Sequence, residues 1–157
     1  MDKETATVAL ALVTILGVFV AIQPMIPTNN ERFSELGVLG PNQTIANYPT
    51  TLTIGQNFSL YGYIGNHEGV VSYYQLLIKL GNQSTVVTNS TSSSAPLIAS
   101  YYRVLDDNQS VTFPINLSLD KNGTNLKIIF ELWSFNSTIS SFQYTGLWNQ
   151  LYVNVTK

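Results

Sequence analysis

The chain has 157 residues, a net charge of −2, only 10% charged residues and no cysteine. Without cysteine, the protein can form no disulfide and perform no thiol chemistry. The low and nearly balanced charge, with no basic cluster, argues against nucleic acid as a partner and against binding to an anionic membrane surface.

An apolar segment near the N-terminus, TATVALALVTILGVFVAI, covers residues 5–22 and contains no charged residue. As a helix it would be about 27 Å long, close to the ~30 Å thickness of a bilayer core. We predict a cytoplasmic N-terminus at residues 1–4 and a single transmembrane helix at residues 5–26, which ends near Pro24 and Pro27. A cleaved secretory signal and a processed pilin-type leader are the alternatives.

The triplet Asn-x-Ser/Thr is more frequent than composition explains. It begins at nine of the fifteen asparagines, whereas a chain with this share of Ser and Thr would contain about three by chance. The excess predicts N-linked glycosylation, which places the C-terminal domain outside the cell and the N-terminus in the cytoplasm. The candidate glycosylation sites are Asn42, Asn57, Asn82, Asn89, Asn108, Asn116, Asn122, Asn136 and Asn154.

Residues 27–47 are rich in turn-forming residues, including Gly40 and Pro41, and contain a few clustered charges. This composition predicts an extracellular stalk with a short helical turn at residues 31–36. The extracellular β-sandwich domain is expected to follow at residues 48–157, which is long enough to bury a core of its own.

From residue 50 onward, runs of alternating apolar and polar residues predict about seven to nine short strands and no second helix. In the clearest run, residues 111–119, the outward position of Pro114 indicates an edge strand or a bulge. Residues 120–123, Asp-Lys-Asn-Gly, predict a hairpin turn with positive φ at Asn or Gly. The expected fold class is all-β, an immunoglobulin-like antiparallel β-sandwich with one N-terminal transmembrane helix. The predicted strands are residues 51–54, 57–64, 70–80, 84–88, 97–105, 111–119, 125–133, 136–141 and 147–155.

The pair His67-Glu68 is the only place where an imidazole adjoins a carboxylate in the sequence. Such a pair can act as an oriented general base or as half of a metal site. One histidine with one neighbour is not a ligand set, so the favoured interpretation is a hydrogen-bonded turn from Asn66 to Gly69 that holds two strands. Because the chain has no nucleotide-binding, serine-hydrolase or zinc motif, we expect no catalytic residue, no metal and no cofactor.

Tyrosine and tryptophan side chains are the other candidate feature. On an outward sheet face they stack on sugars or form the centre of an interface, whereas inward rings fill the core of a cysteine-free sandwich. In the alternating pattern of their predicted strand, Tyr61 and Tyr63 lie on the face opposite to its apolar residues. We expect these two residues, together with Trp133 and Trp148, to be candidate interface residues.

Several short motifs follow one another in the first half of the domain. They are Leu39-Gly40-Pro41-Asn42, Tyr48-Pro49, Leu52-Thr53-Ile54-Gly55-Gln56, Asn66-His67-Glu68 and Tyr73-Tyr74. In this order they resemble the DUF1616 family, archaeal membrane proteins that carry an uncharacterised domain. The resemblance covers roughly Gly37 to Val155 and implies an extracellular β-sandwich tied to an archaeal membrane, with no activity attached. Longer members have several membrane spans where this chain has one, so a role of those helices is not carried over.

The sequence thus predicts a non-enzymatic, heavily N-glycosylated cell-surface protein that acts as a structural or accessory subunit of an envelope or membrane assembly. The expected partners are the membrane, N-linked glycans, and other membrane or surface-layer subunits or copies of the chain itself. The layout is also similar to archaeal pilins and archaellum filament subunits, so a filament subunit is the first alternative. A glycan-binding or glycan-processing module that acts through the aromatic residues is the second.

Overall fold

The computed structural model describes residues 13–14 and 31–157. The predicted cytoplasmic N-terminus at residues 1–4 and most of the predicted transmembrane helix at residues 5–26 lie outside the described residues. In the part of the chain that is described, no helix has the length and apolar character needed to cross a bilayer.

The chain divides into two units, Met1–Glu31 and Arg32–Lys157, and all the strands of the described residues lie in the second. Short apolar-polar alternation, punctuated by Gly, Asn and Pro, produces strands rather than helices throughout this unit. The strands are β1 (Phe33–Leu39), β2 (Thr51–Thr53), β3 (Asn57–His67), β4 (Ser72–Gly81), β5 (Leu97–Leu105), β6 (Gln109–Ser118), β7 (Gly123–Asn136) and β8 (Ser141–Thr156).

The strands form two sheets. The smaller sheet has the order β1-β3-β6, and the larger sheet has the order β2-β8-β7-β4-β5. Neighbouring strands are antiparallel except for β2 and β8, which run parallel, so the expectation of a wholly antiparallel sandwich is wrong at this one edge. The fold class is all-β, and the two sheets pack as a β-sandwich.

The core lies between the two sheets, because the side chains of a strand alternate between its two faces and one face of each sheet is covered by the other sheet. In β6, Phe113, Ile115 and Leu117 are buried while the residues between them are exposed, as the alternation predicts. Pro114 lies on the outward side of β6, and β6 is an edge strand, so the prediction from this proline is confirmed. Fully buried apolar side chains come from both sheets: Leu60, Ile64, Tyr74, Leu76, Ile78, Ile115, Ile128, Phe130 and Leu132.

Residues 33–39 form neither a stalk nor a helical turn, so that prediction is wrong. They form β1, which pairs with β3 along its whole length, and Val38 is part of the core. Gly37 lies opposite Tyr63, whose side chain covers the place where a Gly37 side chain would be. Gly37 therefore packs against a neighbouring strand rather than forming part of a linker, and the sandwich begins at β1 rather than at residue 48.

Three further predictions in the connections are wrong. Residues 120–123 do not close a hairpin, because β6 belongs to the smaller sheet and β7 to the larger, so the chain crosses between sheets there. The positive φ angle occurs at Asn125 instead. Residues 84–88 lie in a loop, and residues 137–140 form the turn of the long β7–β8 hairpin instead of belonging to a separate strand.

Candidate functional site

The nine sequon asparagines all lie at the surface. Seven are exposed, while Asn136 and Asn154 are half-buried, so none points into the core. Some of the amides already make hydrogen bonds: Asn154 Oδ1 accepts one from the Asn125 amide at 2.9 Å, and Asn136 Nδ2 donates one to Gln143 Oε1 at 2.8 Å. Because a sugar can only be attached at an accessible amide, all nine stay candidate sites.

Tyr61 and Tyr63 lie half-buried on the outer face of the smaller sheet, as their parity predicts. The Tyr63 hydroxyl donates a hydrogen bond to Glu35 Oε2 at 2.7 Å, and this bond raises the pKa of Tyr63. Nε2 of His67 lies 3.6 Å from the same carboxylate oxygen, and its ring stacks on Phe33 with centroids 4.6 Å apart. A phenol, a carboxylate and an imidazole thus form a row on this open face.

His67 and Glu68 do not act on one another as an acid–base pair, because they contact different groups. His67 Nδ1 lies 3.1 Å from Asn108 Oδ1, whereas Glu68 Oε1 accepts a hydrogen bond from the Ser34 hydroxyl at 2.6 Å. Within residues 13–14 and 31–157, no group of three or more His, Asp or Glu side chains is placed to hold a metal ion.

Asn66, the residue before His67, is fully buried at the end of β3. Its Oδ1 accepts hydrogen bonds from the Glu68 amide and the Tyr74 hydroxyl, both at 3.1 Å. Its Nδ2 lies 2.8 to 3.0 Å from three backbone carbonyl oxygens, those of Val70, Leu105 and Asp106. This amide connects the smaller sheet to β4 and β5, which agrees with the hydrogen-bonded structure that was favoured for this segment.

A buried ion pair lies on the outer face of the larger sheet, and the sequence patterns give no sign of it. Lys79 on β4 and Glu131 on β7 are 8% and 0% exposed, and Lys79 Nζ lies 2.8 Å from Glu131 Oε2. The loop at residues 82–96, here called the β4–β5 loop, covers the pair. The Ser93 amide donates a hydrogen bond to Glu131 Oε1 at 2.5 Å, and the Ser93 carbonyl accepts one from Lys79 Nζ at 2.6 Å. The ion pair therefore fastens this loop to the sheet.

Trp133 and Trp148 lie half-buried on the same face. The Trp133 indole donates its N–H to Glu131 Oε2 at 3.3 Å, and the Trp148 indole donates to Asn89 Oδ1 at 3.1 Å. Both polar groups are therefore engaged within the chain: Trp148 contacts the β4–β5 loop directly, and Trp133 contacts the carboxylate that holds the loop.

Four aromatic rings that lie away from this loop form an exposed group on the same face, here called the ring cluster: Tyr73, Tyr102, Phe135 and Phe142. The ring centroids of Tyr73 and Phe142 are 5.0 Å apart, and those of Phe135 and Phe142 are 5.4 Å apart. Tyr73 and Phe135 are 39% exposed, and Tyr102 is 44% exposed. Within each strand, the alternation of side chains could have predicted that these rings face outward. Their grouping depends on the strand order β5-β4-β7-β8, which local patterns do not specify.

Among solved structures, the chain is similar to a beta-glucosidase from Listeria innocua in complex with glucose, at 13% identity and a TM-score of 0.47. The likeness covers 81% of this chain and 16% of that one. A CARDB domain from Pyrococcus furiosus in complex with di-metal ions is similar at 8% identity and a TM-score of 0.49, over 80% of this chain and 89% of that one. Spo0M, a sporulation control protein from Bacillus subtilis, is similar at 7% identity and a TM-score of 0.44, over 79% of this chain and 49% of that one.

The curated proteins include no match to this chain. A family model described as a domain of unknown function, DUF1616, matches residues 27–155. The match extends from the segment before β1 into β8, and it contains all the motifs on which the resemblance was based. The resemblance is confirmed, and the chain belongs to the DUF1616 family.

Proposed function

We propose that the protein is a single-span, N-glycosylated archaeal cell-surface protein whose immunoglobulin-like sandwich serves as a non-enzymatic structural or accessory subunit of an envelope or membrane assembly. In this proposal the apolar segment at residues 5–22 anchors the chain, with the N-terminus in the cytoplasm and the sandwich outside. The observation that carries the proposal is the surface position of all nine sequon asparagines.

The distribution of the sequons supports an extracellular domain. Asn57 and Asn116 lie on the smaller sheet, Asn82 and Asn89 lie in the β4–β5 loop, and Asn136 ends β7. The sites are therefore spread over both faces and at least one end of the sandwich. Sugars at such positions would shield a domain that has no disulfide to stabilise it outside the cell.

The contacts of the polar groups support a structural role. Glu131, the fully buried carboxylate, accepts hydrogen bonds from Ser93 and Trp133 and pairs with Lys79, so its charge is used to hold a loop. His67 lies on an open sheet face against Phe33. The contacts of Glu131 and His67 thus lie within the sandwich.

The intact mass of the protein from native membranes tests this proposal. We expect a chain that begins at Met1 or Asp2 and exceeds the 17.3 kDa polypeptide by several hexose-bearing glycans. Each of Asn57→Gln and Asn116→Gln should remove one glycan, whereas Asn149→Gln, which lies in no sequon, should remove none.

A stoichiometric set of other subunits that co-purifies from gently solubilised membranes would support the accessory role. An unmodified polypeptide mass would refute the glycoprotein proposal. Recovery of a homopolymer with a trimmed N-terminus would instead identify a filament subunit.

A further inference from the structure

Four strands form the sheet edges among the described residues: β1 and β6 in the smaller sheet, β2 and β5 in the larger. Edge strands present unpaired backbone groups that can pair with another chain, and proteins usually block them. β2 has only three residues. β6 contains Pro114, which has no amide hydrogen to donate. In β1, the carbonyls of Leu36 and Val38 already accept side-chain hydrogen bonds from Asn149 and Tyr48. Three of the four edges are therefore short or blocked.

β5 has fewer of these protections, although the carbonyls of Tyr102 and of its last residue, Leu105, accept side-chain hydrogen bonds. It has nine residues, LIASYYRVL, with neither proline nor glycine, and it pairs only with β4 in the part of the chain that is described. Its one charged residue, Arg103, lies 3.9 Å from the Phe113 ring centroid and donates a hydrogen bond to the Tyr102 carbonyl at 2.6 Å. The outward side chains of Tyr102 and Val104 are 44% and 64% exposed.

The ring cluster adjoins this edge and extends the exposed apolar surface. A fully exposed aromatic side chain offers about 200 Å², so each of its exposed rings leaves on the order of 80 Å² uncovered. With Val71 and Val104, which are 61% and 64% exposed, the patch reaches a few hundred Å², a size at which apolar patches mark interaction sites.

The charges of this face favour an uncharged partner surface. Register places three charged residues of the described chain outward on the larger sheet, and all three are engaged internally. Lys79 and Glu131 pair with one another, and Lys127 Nζ donates to the Thr85 carbonyl at 2.8 Å. A second copy of the chain presents the same uncharged patch, so the outward faces of two copies bring no like charges together at this contact.

We propose that β5 is a dimer contact, at which two copies of this chain pair their β5 strands antiparallel about a two-fold axis. An axis perpendicular to the sheet joins the two larger sheets edge to edge and keeps both ring clusters on the same side. With the axis at Tyr102, the two Tyr102 side chains lie side by side as cross-strand neighbours, and Arg103 of each copy lies opposite Tyr101 of the other rather than opposite Arg103.

If the proposed glycosylation holds, the positions of the sequons also favour β5 as the dimer contact. No sequon lies in β4 or β5, whereas the β6 edge has an exposed sequon at Asn116. Sugars would therefore obstruct pairing at β6 and leave β5 open. The length of this edge strand and the uncharged patch argue for β5 even if no sugar is attached.

Cysteine cross-linking of the full-length chain in membranes tests the contact. The chain has no native cysteine, so a single introduced cysteine can form a disulfide only with another copy. We expect disulfide-linked dimers for at least one of Ser100→Cys, Tyr102→Cys and Val104→Cys. Thr112→Cys, an exposed position on the β6 edge, is the matched control and should form none. Absence of dimers at all three β5 positions, or equal dimer formation by the control, would overturn the proposal.

A charged substitution gives a second readout in detergent micelles. Light scattering should show a dimer for the native chain, and Val104→Lys should weaken dimerisation by at least about tenfold in Kd. Thr112→Lys should leave the dimer intact, and circular dichroism should show unchanged strand content in both variants. A native chain that is monomeric, or that is cross-linked through β5 to a different protein, would refute self-pairing. Cross-linking with no glycan mass would refute only the proposed glycosylation, whereas glycan mass with no cross-link would refute only the dimer.

Discussion

Lys79 and Glu131 form an ion pair, 2.8 Å from Nζ to Oε2, on the side of the larger sheet that faces away from the core. Outward positions of a sandwich are normally solvated, yet these two residues are 8% and 0% exposed because the β4–β5 loop covers them. The outer face of the larger sheet thus contains a second buried region, built around a charge pair.

Removing one member of this pair should destabilise the protein strongly. In Lys79→Met, the buried Glu131 carboxylate keeps only the N–H groups of Ser93 and Trp133 as partners. We expect a loss of about 3–5 kcal/mol in the free energy of unfolding, because an uncompensated charge stays buried. The double variant Lys79→Met/Glu131→Leu should lose less than Lys79→Met alone, since an apolar pair needs no counter-charge.

Urea unfolding of the full-length protein in detergent measures both values. Lys121→Met, at an exposed lysine, is the control and should change the free energy of unfolding by less than about 0.5 kcal/mol. If Lys79→Met cost no more than this control, the ion pair would not stabilise the fold.

Gly146 lies where β8 passes the β4–β5 loop. Its φ angle is 84°, and an added Cβ would collide with the Asn89 carbonyl. Gly146→Ala therefore combines backbone strain with displacement of the loop, and we expect a loss of roughly 2–3 kcal/mol in the free energy of unfolding. Limited proteolysis should also become faster within residues 82–96.

Gly55 provides the matched control for that variant. Its φ angle is 76°, but an added Cβ would meet no atom within 4 Å. Gly55→Ala should therefore show only the cost of the backbone conformation, about 1 kcal/mol, with no faster cleavage of the loop. Equal effects of the two substitutions would show that Gly146 matters only for its backbone angle.

Stability at high pH should depend on Tyr144, whose hydroxyl donates a hydrogen bond to the Thr88 carbonyl at 2.9 Å. Burial, and secondly the charge of Glu131, raise the pKa of Tyr144 to about 12. An unfolded tyrosine titrates near ~10, so the stability from the neutral phenol is complete below this pH and is lost as the pH rises towards 12. Thermal unfolding between pH 8 and 12 should show a smaller decline for Tyr144→Phe than for the native chain, and parallel declines would contradict this role.

Asn66→Asp should make the free energy of unfolding depend on pH, because it replaces a buried amide with a carboxyl group. The new carboxylate oxygen would face the carbonyls of Val70, Leu105 and Asp106, which repel it. The folded state would raise the pKa of the carboxyl above the ~3.9 of an unfolded aspartate, so stability would fall as the pH rises through the raised value. We expect a loss of roughly 3 kcal/mol at neutral pH.

Asn149→Asp is the control for the Asn66 variant, because its Nδ2 donates a single hydrogen bond, to the Leu36 carbonyl. Urea unfolding at pH 3 and pH 7 should show a much larger difference between the two pH values for Asn66→Asp. A similar difference for both variants would mean that the three carbonyls around Asn66 do not act together.

Local patterns determined much of the sandwich and part of the candidate surface. The run of residues 97–105 is predicted as a strand with the observed bounds of β5, and the outward proline at 114 predicts an edge strand. The alternation at residues 57–64 predicts that Tyr61 and Tyr63 face outward. These features follow from local sequence alone, because the side chains of a strand alternate between its two faces, whatever strand lies beside it.

The choice of neighbouring strands depends on contacts between distant parts of the chain. The local sequence of β1 predicts a stalk, but β1 pairs with β3. The residues after β6 predict a hairpin turn, but the chain crosses there from the smaller sheet to the larger. The contact between Lys79 and Glu131, and the gathering of the ring cluster, require the register of β4 against β7 and a loop laid across both strands. Such contacts join residues far apart in the chain, so their energy depends on pairings that no local pattern encodes.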